Sequence, residues 1–372
     1  MAKNPFHLDI VTKDFRWAGV LGDAEELHAS PAHNAQPTAM ITVPARSKKI
    51  PLLIEEGTRV EITHDGRFLM GGPLLEATGA GPAVNGTMTF LLMDDYRQLS
   101  SFLCWPVPGS PLSSQNSEYH KVSGPAETVL KSIVTANAAR MGLPISCAPD
   151  LGRGARINAA MRFHTIEERL GTALDAAGIG VTVRRVGTGF VVDCYEPRSY
   201  PKTLTEESGV VTSWEWKRKA PEATDVIIGG QGEGTARVFK HFAAPDDRAT
   251  RWKDRREVFR DARDSDDEGD VYATRASETF AETAQKTGLK LGLSETKNFR
   301  YGTTVTVGDK LSVQVGQGLT ITDILRQADI SWTRNDGEDI TPTMGEFESA
   351  DDIYARALKA MAKNTNDLQR SR

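Results

Sequence analysis

Over much of the chain, apolar and polar positions alternate with period two in short runs broken by turn residues, the mark of half-buried strands. Met40, Ile41, Thr42 and Val43 form one such run, stopped at Pro44. Positions 58–63 alternate and enter the turn His64-Asp65-Gly66-Arg67, after which Phe68, Leu69 and Met70 complete a hairpin ahead of Gly71-Gly72-Pro73. A further strand over 86–92 follows an Ala/Gly-rich turn, so 6–103 reads as a small antiparallel sheet or barrel. Prolines and serines crowd 104–122, which reads as an exposed connector.

The period then changes. Ser123-Gly124-Pro125 reads as a helix entry, with Val129, Ile133 and Val134 on the following helix and its end near Met141-Gly142. Thr165 and Glu168 have capping-box spacing, and Ile166, Leu170, Ala173, Leu174 and Ala177 continue as an apolar stripe up to Gly178. A hairpin is expected from 181–183 and 190–192, closing an α+β module.

Strands return from about 200. Val226, Ile227 and Ile228 meet a loop with Gly229, Gly230, Gly232 and Gly234, and a second strand-like run passes through Val238 and Phe239, a hairpin whose tip needs positive φ. Next come a charged run over 246–270, a helix over 273–287 closing at Gly288, and strands at 305–307, 311–315, 319–321 and 324–332, the last pairing towards Ile340 and Thr341. The segment 349–369 reads as a helix with Ser349 as N-cap and Asp351 and Asp352 in its first turn. Its face of Ile353, Tyr354, Ala357, Leu358 and Met361 is the candidate interface, either packing on the subunit's own body or joining a three-stranded association or the next component. The fold class is α+β and β-rich, with two antiparallel β-barrel or sandwich regions flanking the α+β module and a C-terminal helix.

Composition narrows the functions. Of the 372 residues, 39% are hydrophobic and 26% charged, as in an ordinary soluble protein of two to four domains. A formal net charge of −5 argues against sequence-independent nucleic-acid binding, which wants a basic excess. Neither a signal peptide nor a membrane span is evident, so membrane insertion is not expected. Cys104, Cys147 and Cys194 are odd in number and widely spaced, reading as reduced and partly buried cysteines.

Catalytic and cofactor motifs do not emerge. The glycine loop is G-x-G-x-G followed by β-branched and aromatic residues, not the G-x-G-x-x-G that opens a helix at a dinucleotide site, and P-loop spacing is lacking. Asp261, Asp264, Asp266, Asp267, Glu268 and Asp270 lack a calcium-loop frame and are interspersed with Arg255, Arg256, Arg260 and Arg263, which favours an ion-pair network. Histidines show neither H-E-x-x-H nor H-x-x-x-H spacing, and G-x-S-x-G is missing. Trp214, Trp216, Trp252 and Trp332 read as packing residues of sheets or seams, with sugar stacking as the alternative. The expectation is a non-enzymatic protein without catalytic residues, cofactor or metal.

Ordered blocks carry a resemblance. They are Gly124-Pro125-Ala126-Glu127-Thr128-Val129-Leu130, Asp150-Leu151-Gly152-Arg153-Gly154, Tyr195-Glu196-Pro197-Arg198, the stretch 220–239 with 258–264, and Ile340-Thr341-Pro342-Thr343-Met344-Gly345. Together they resemble the minor tail, or tail-hub, proteins of siphophages that infect actinobacteria, distantly similar to the baseplate hub of contractile phages. The resemblance implies an N-terminal barrel at 1–104, a connector at 105–122, an α+β module at 123–200, a second barrel at 201–345 and a terminal helix at 346–372. It also implies a homotrimer at the virion's tail tip, assembled in the host cytoplasm. The expected partners are the distal tail protein, the tape-measure protein and tip or receptor-binding proteins, with DNA passing through the lumen without specific binding. The short segment after 345 is not expected to hold an appended enzyme domain. The alternatives are a tail-associated cell-wall hydrolase and a carbohydrate-binding receptor protein.

Overall fold

The computed structural model describes residues 4–263, 271–294, 296 and 299–346. The chain divides into two compact units, one of Met1–Glu215 with Lys290–Met344, the other of Trp216–Leu289 resuming at Gly345. The fold is β-rich α+β, with a 13-stranded sheet among the described residues.

In the first unit the early strands pair antiparallel in the order Glu26–Ser30, Thr38–Pro44, Thr87–Met93, Arg67–Ala80, Arg59–His64, Phe6–Val11 and Trp17–Val20. The expected hairpin turns at Asp65 (φ 45°) and Gly66 (φ 77°), the positive-φ pair of a tight two-residue turn. Its second strand does not stop at Gly71-Gly72-Pro73 but runs 14 residues. The first half pairs with Arg59–His64 and the second with Thr87–Met93. Gly72 makes this exchange of partners possible, because a Cβ there would lie 1.8 Å from the Met93 carbonyl oxygen.

The late strands join the same sheet. Leu319–Thr333 is one 15-residue strand where two were expected, and it pairs with Gly337–Gly345, with Lys310–Val315 and, through Ile330↔Ala29 and Thr333↔Glu26, with Glu26–Ser30. Ser199–Leu204 adds in parallel to Lys310–Val315. The expected strand at 305–307 is not one: Val305 makes only an isolated bridge to Tyr301.

The α+β segment follows its sequence closely. The helix Ala126–Met141 ends at Gly142 in the left-handed conformation (φ 64°), burying Val129, Leu130, Ile133 and Val134. Ile166–Ala176 opens with the complete capping box, the Thr165 hydroxyl accepting from Glu168 N–H (3.2 Å) and the Glu168 carboxylate accepting from Thr165 N–H (3.0 Å). Gly180–Val186 and Gly189–Tyr195 form the hairpin, extended in parallel by Ile145–Cys147. Tyr96, Leu99 and Phe102, at and after the 3₁₀ turn Asp95–Ser100, share its core.

A partly buried polar clamp ties this segment to the sheet. Asn34, at φ 50°, donates to Asp175 (2.5 Å) and to the Ile179 carbonyl (2.8 Å), and accepts from Val181 N–H (2.9 Å). His33, its side chain fully buried, lies between the Tyr195 hydroxyl (2.7 Å) and Asp175 (3.3 Å). Arg326 of the long late strand pairs with Asp175 from the other side.

The second unit is a three-stranded sheet, Phe239–Ala243, Asp225–Gly229 and Glu257–Asp261, covered by the helix Val271–Glu282. Its core is Val226, Ile228, Ala262, Tyr272, Ala276 and Phe280. The glycine-rich segment is the expected hairpin, but the helix expected over 273–287 ends at Glu282. Thr287 and Gly288 instead belong to the strand Lys286–Leu293, because alternation through Leu289 and Leu291 outweighs continuation of the helix. The expected terminal helix, and with it Ile353, Tyr354, Ala357, Leu358 and Met361, lies outside the described residues. Among the described residues no helix is long and apolar enough to cross a membrane.

The clamp generates a stability prediction. Asn34→Ala removes three hydrogen bonds and a residue tolerant of positive φ, and should lower unfolding stability by about 2–4 kcal/mol. Asn34→Gly, which keeps the backbone freedom, should still lose at least about half of that. Urea unfolding of both variants measures it, and an unchanged midpoint for Asn34→Ala would remove the clamp from the account.

Candidate functional site

The sequence blocks singled out above turn into charged joints. Where the strand His120–Pro125 passes into the helix Ala126–Met141, Glu127 points inward with its side chain fully buried. It accepts from Arg153 Nε (2.9 Å), Nη2 (2.8 Å) and backbone N–H (2.9 Å), and from Lys131 Nζ (2.6 Å). Asp193 accepts from the same two cations, at 2.8 Å from Arg153 and 3.2 Å from Lys131. Gly152 and Gly154, at φ 67° and 83°, bend the loop that delivers Arg153. At Gly154 a Cβ would meet Ile179 Cγ2 at 2.8 Å. The Arg153 hydrogen bonds are the largest influence on Glu127; with those from Lys131 they overcome the penalty of burial and hold its carboxyl down at about 2. Two carboxylates and two cations thus saturate one another.

Tyr195-Glu196-Pro197-Arg198 makes a second joint. The Tyr195 hydroxyl meets His33, and Arg198 grips Asp309 with two bonds of 3.0 Å. Asp309 also accepts from Thr306 N–H (2.9 Å).

Between these joints the first unit holds an open cleft of about 590 Å³, whose polar lining includes Asp94, Arg184, Asp193, Tyr195, Arg198 and Asp309. Asp193 and Asp309 are committed to the joints just described. Asp94 accepts backbone N–H groups from Gly71 and Tyr96, both at 2.9 Å. Burial is the main influence on its carboxyl, which stands at about 7 despite those two bonds, with the neighbouring Asp95 adding to the rise. Both Asp94 oxygens are engaged, so the arrangement braces a strand end rather than presenting a free acid. Burial also lifts the Cys104 and Cys194 thiols to about 12, far from a reactive thiolate at neutral pH. Among the described residues no group of three or more His, Cys, Asp or Glu is placed to hold a metal ion.

In the second unit the glycine-rich hairpin serves close backbone approach. At Gly229 a Cβ would lie 2.5 Å from the Phe259 ring, and at Gly232 (φ 99°) it would lie 2.4 Å from the Ala236 carbonyl oxygen. Arg237 donates to the Gly229 and Gly230 carbonyls (3.0 and 3.1 Å) and pairs with Asp261 (2.9 Å). Its guanidinium lies 5.4 Å from the Phe239 ring and 5.3 Å from the Phe259 ring, and both phenylalanines are 55% exposed. The described part of the Asp/Arg run forms short-range ion pairs, Asp246 with Arg248 and Arg251, Asp254 with Arg256, Asp261 with Arg263. Asp264, Asp266, Asp267, Glu268 and Asp270 lie outside the described residues. Trp332 is buried in the sheet, whereas Trp214 and Trp216 are about 40% exposed, with Trp214 Nε1 donating to Glu206 (2.6 Å).

Sequence reading singled out Glu127, Arg153, Tyr195 and Arg198 as parts of blocks, but not the partners Lys131, Asp193, His33 and Asp309 that give them a purpose. The i, i+4 spacing of Glu127 and Lys131 was the one local cue.

The fold is that of phage and prophage tail proteins. Three solved structures share it: the tail protein from Neisseria meningitidis MC58 (12% identity, 92% of this chain and 97% of that one, TM-score 0.56), the 43 kDa tail protein of prophage MuSo2 from Shewanella oneidensis (11%, 91% and 98%, TM-score 0.58), and the prophage tail protein gp18 from Listeria monocytogenes EGD-e (10%, 96% and 99%, TM-score 0.54). Residues 7–346 match the family described as Siphovirus ReqiPepy6 Gp37-like protein, and the chain belongs to that family. The siphophage resemblance drawn from the sequence is thereby borne out. No curated protein matches the chain.

The Glu127 joint has a pH signature. A carboxyl held down at about 2 in the folded protein, against 4.5 for the free group, contributes stability that is complete above pH 4.5 and lost as pH falls towards 2. Glu127→Gln should therefore be less stable than wild type by about 3–5 kcal/mol at pH 7, where it leaves Arg153 and Lys131 to share the Asp193 carboxylate alone. The gap should narrow steadily between pH 4.5 and 2. Denaturant titrations across that range test it, and a gap that stays constant contradicts the assignment.

Proposed function

We propose that this protein is the structural hub at the far end of a long, non-contractile phage tail. The carrying observation is family membership over 7–346 together with a tail-protein fold that extends over more than nine-tenths of this chain and of each of the three structures compared. In this reading three copies surround the DNA exit channel. The strand-rich segments 1–104 and 201–345 form the ring, with 123–200 as the module between them. The ring joins the distal tail protein and tape-measure protein to tip or receptor-binding proteins. Closed symmetric association of this kind rests on many modest interfaces. The chemistry suits a mechanical part: the carboxylates at the joints and in the cleft accept bonds from fixed partners, and a net charge of −5 suits a channel past which DNA slides.

A reconstruction of the intact tail tip tests this reading. Three copies around the axis at the end distal to the capsid are expected; copies repeated along the tube, or a single copy beside it, would reject it. Zymography on host cell walls is expected to show no clearing by the purified chain, and clearing would move the assignment to the hydrolase alternative.

A further inference from the structure

Asp94 is a buried carboxylate that, among the described residues, bonds to no cation. It lies where Arg67–Ala80 exchanges partners. One oxygen accepts from Gly71 N–H on that strand and the other from Tyr96 N–H in the turn Asp95–Ser100, both at 2.9 Å. A single side chain thus staples the strand crossing to the turn. The packing is tight, since a Cβ on Gly72 would come 3.0 Å from Asp94 Cα. Phe68 and Leu69 from the strand and Tyr96 from the turn line the 590 Å³ cleft together with Asp94.

Charge in this corner does not balance. Asp94 and Asp95 are 7% and 3% exposed, and Arg59 of the strand Arg59–His64 bonds Asp95 while stacking on the Phe15 and Phe190 rings (5.3 and 5.4 Å). Glu61 on the same strand is taken by Arg185 (2.5 Å) of Gly180–Val186. Across the cleft, Asp193 pairs with Arg153 and Lys131, and Asp309 with Arg198. Arg184 lies over the Phe68 ring (5.4 Å), and Glu196 adds a further negative group to the lining. The loop ahead of Thr38 presents a neutral group, Gln36, whose amide donates to the Asp94 carbonyl (3.1 Å). Burial raises the Tyr96, Tyr195 and Tyr301 hydroxyls above their ordinary range, so these stay neutral. An ionised Asp94 is therefore a buried charge held by two amide dipoles, beside a second carboxylate.

We propose that Asp94 is a proton-dependent latch on this part of the cleft: neutral, it keeps the strand crossing stapled to the turn, and ionised, it lets the staple open to water. Burial outweighs the two N–H bonds and, with Asp95 adding to it, places the carboxyl at about 7, against 3.8 for the free group. The closed form thus holds a proton that the open, hydrated form gives up. Its advantage is complete below pH 3.8 and is lost as pH rises through 7. The window lies above that of Glu127 and runs the other way, so acid tightens the latch while it weakens the joint. The latch does not depend on the hub assignment.

Two measurements on the full chain test the proposal. Hydrogen exchange read by mass spectrometry on peptides covering 67–73 and 94–100, corrected for the intrinsic pH dependence of amide exchange, reports opening of the staple. In wild type, opening should rise by about tenfold or more between pH 5 and pH 7.5 and then level off. Asp94→Asn, similar in size and without a titrating group, should lose most of that rise. A flat wild-type profile, or a variant that keeps the full rise, overturns the proposal. Carbon-13 NMR of wild type labelled at aspartate carboxyls needs no variant. One resonance should titrate with a midpoint near pH 7, and the absence of any aspartate midpoint above pH 6 overturns the proposal as well.

Discussion

The first unit depends on one long late strand. Leu319–Thr333 pairs with its sequence neighbours on both sides and also with Glu26–Ser30, about 300 residues earlier in the chain. Closing so large a loop is entropically costly, though the cost grows only logarithmically with length. It is offset here by a cooperative set of bonds rather than a single contact. Beyond the ladder, His33 N–H donates to the Arg326 carbonyl (2.7 Å) and Ala328 N–H to the Pro31 carbonyl (3.2 Å). The Arg326 guanidinium then reaches Asp175 in the α+β segment. A single strand thereby fixes the early sheet, the late sheet and the helical segment at once.

Asp175 shows how the clamp holds. Burial opposes its charge, but the hydrogen bond from His33, the Arg326 guanidinium and the Asn34 amide outweigh that penalty and keep the carboxyl below its ordinary range. The Glu127 joint follows the same logic with more partners. Buried ion pairs of this kind contribute little net stability over apolar packing, yet breaking one leaves a charge stranded. They therefore specify which arrangement forms more than they add to its depth. This explains how three tail proteins at 10–12% identity can share the strand path. Backbone pairing and burial set the path, and in this chain the polar joints at Glu127 and Asp175 select it.

What could be read from the sequence was what is decided locally. Thr165 and Glu168 are three apart, Asp65-Gly66 is a two-residue turn, and Gly142 ends a helix; each needs only its neighbours. The passage of Arg67–Ala80 through Gly71-Gly72-Pro73 was illegible because the reason lies 21 residues away, in the Met93 carbonyl against Gly72. Likewise the end of the helix at Glu282 depends on Leu289 and Leu291 being drawn into a strand. The blocks holding Glu127 and Arg153 were visible as text, but nothing in the text says that they meet. Asn34 carried only the weak cue of a residue at ease with positive φ, and His33 carried none.

The second unit faces a different physical problem. Three strands and one helix supply a core of six buried side chains, close to the lower limit at which a sheet holds its shape. Among the described residues its sheet has the helix Val271–Glu282 on one face. On the other, the residues in register with Ile227 and Gly229 are Phe259 and Phe239, two large rings with little over them. Glycine at 229 removes the Cβ that would collide with the Phe259 ring, so the ring lies across the strand and shields the backbone beneath it. Arg237 extends the same shield, spanning both rings while its N–H groups take up the carbonyls of the glycine turn. Among the described residues this sheet face is thus kept in order by a cation laid over aromatics. Gly229 and Gly230 are there because the backbone must come close to the Phe259 and Tyr272 rings, and Gly232 because it must pass the Ala236 carbonyl.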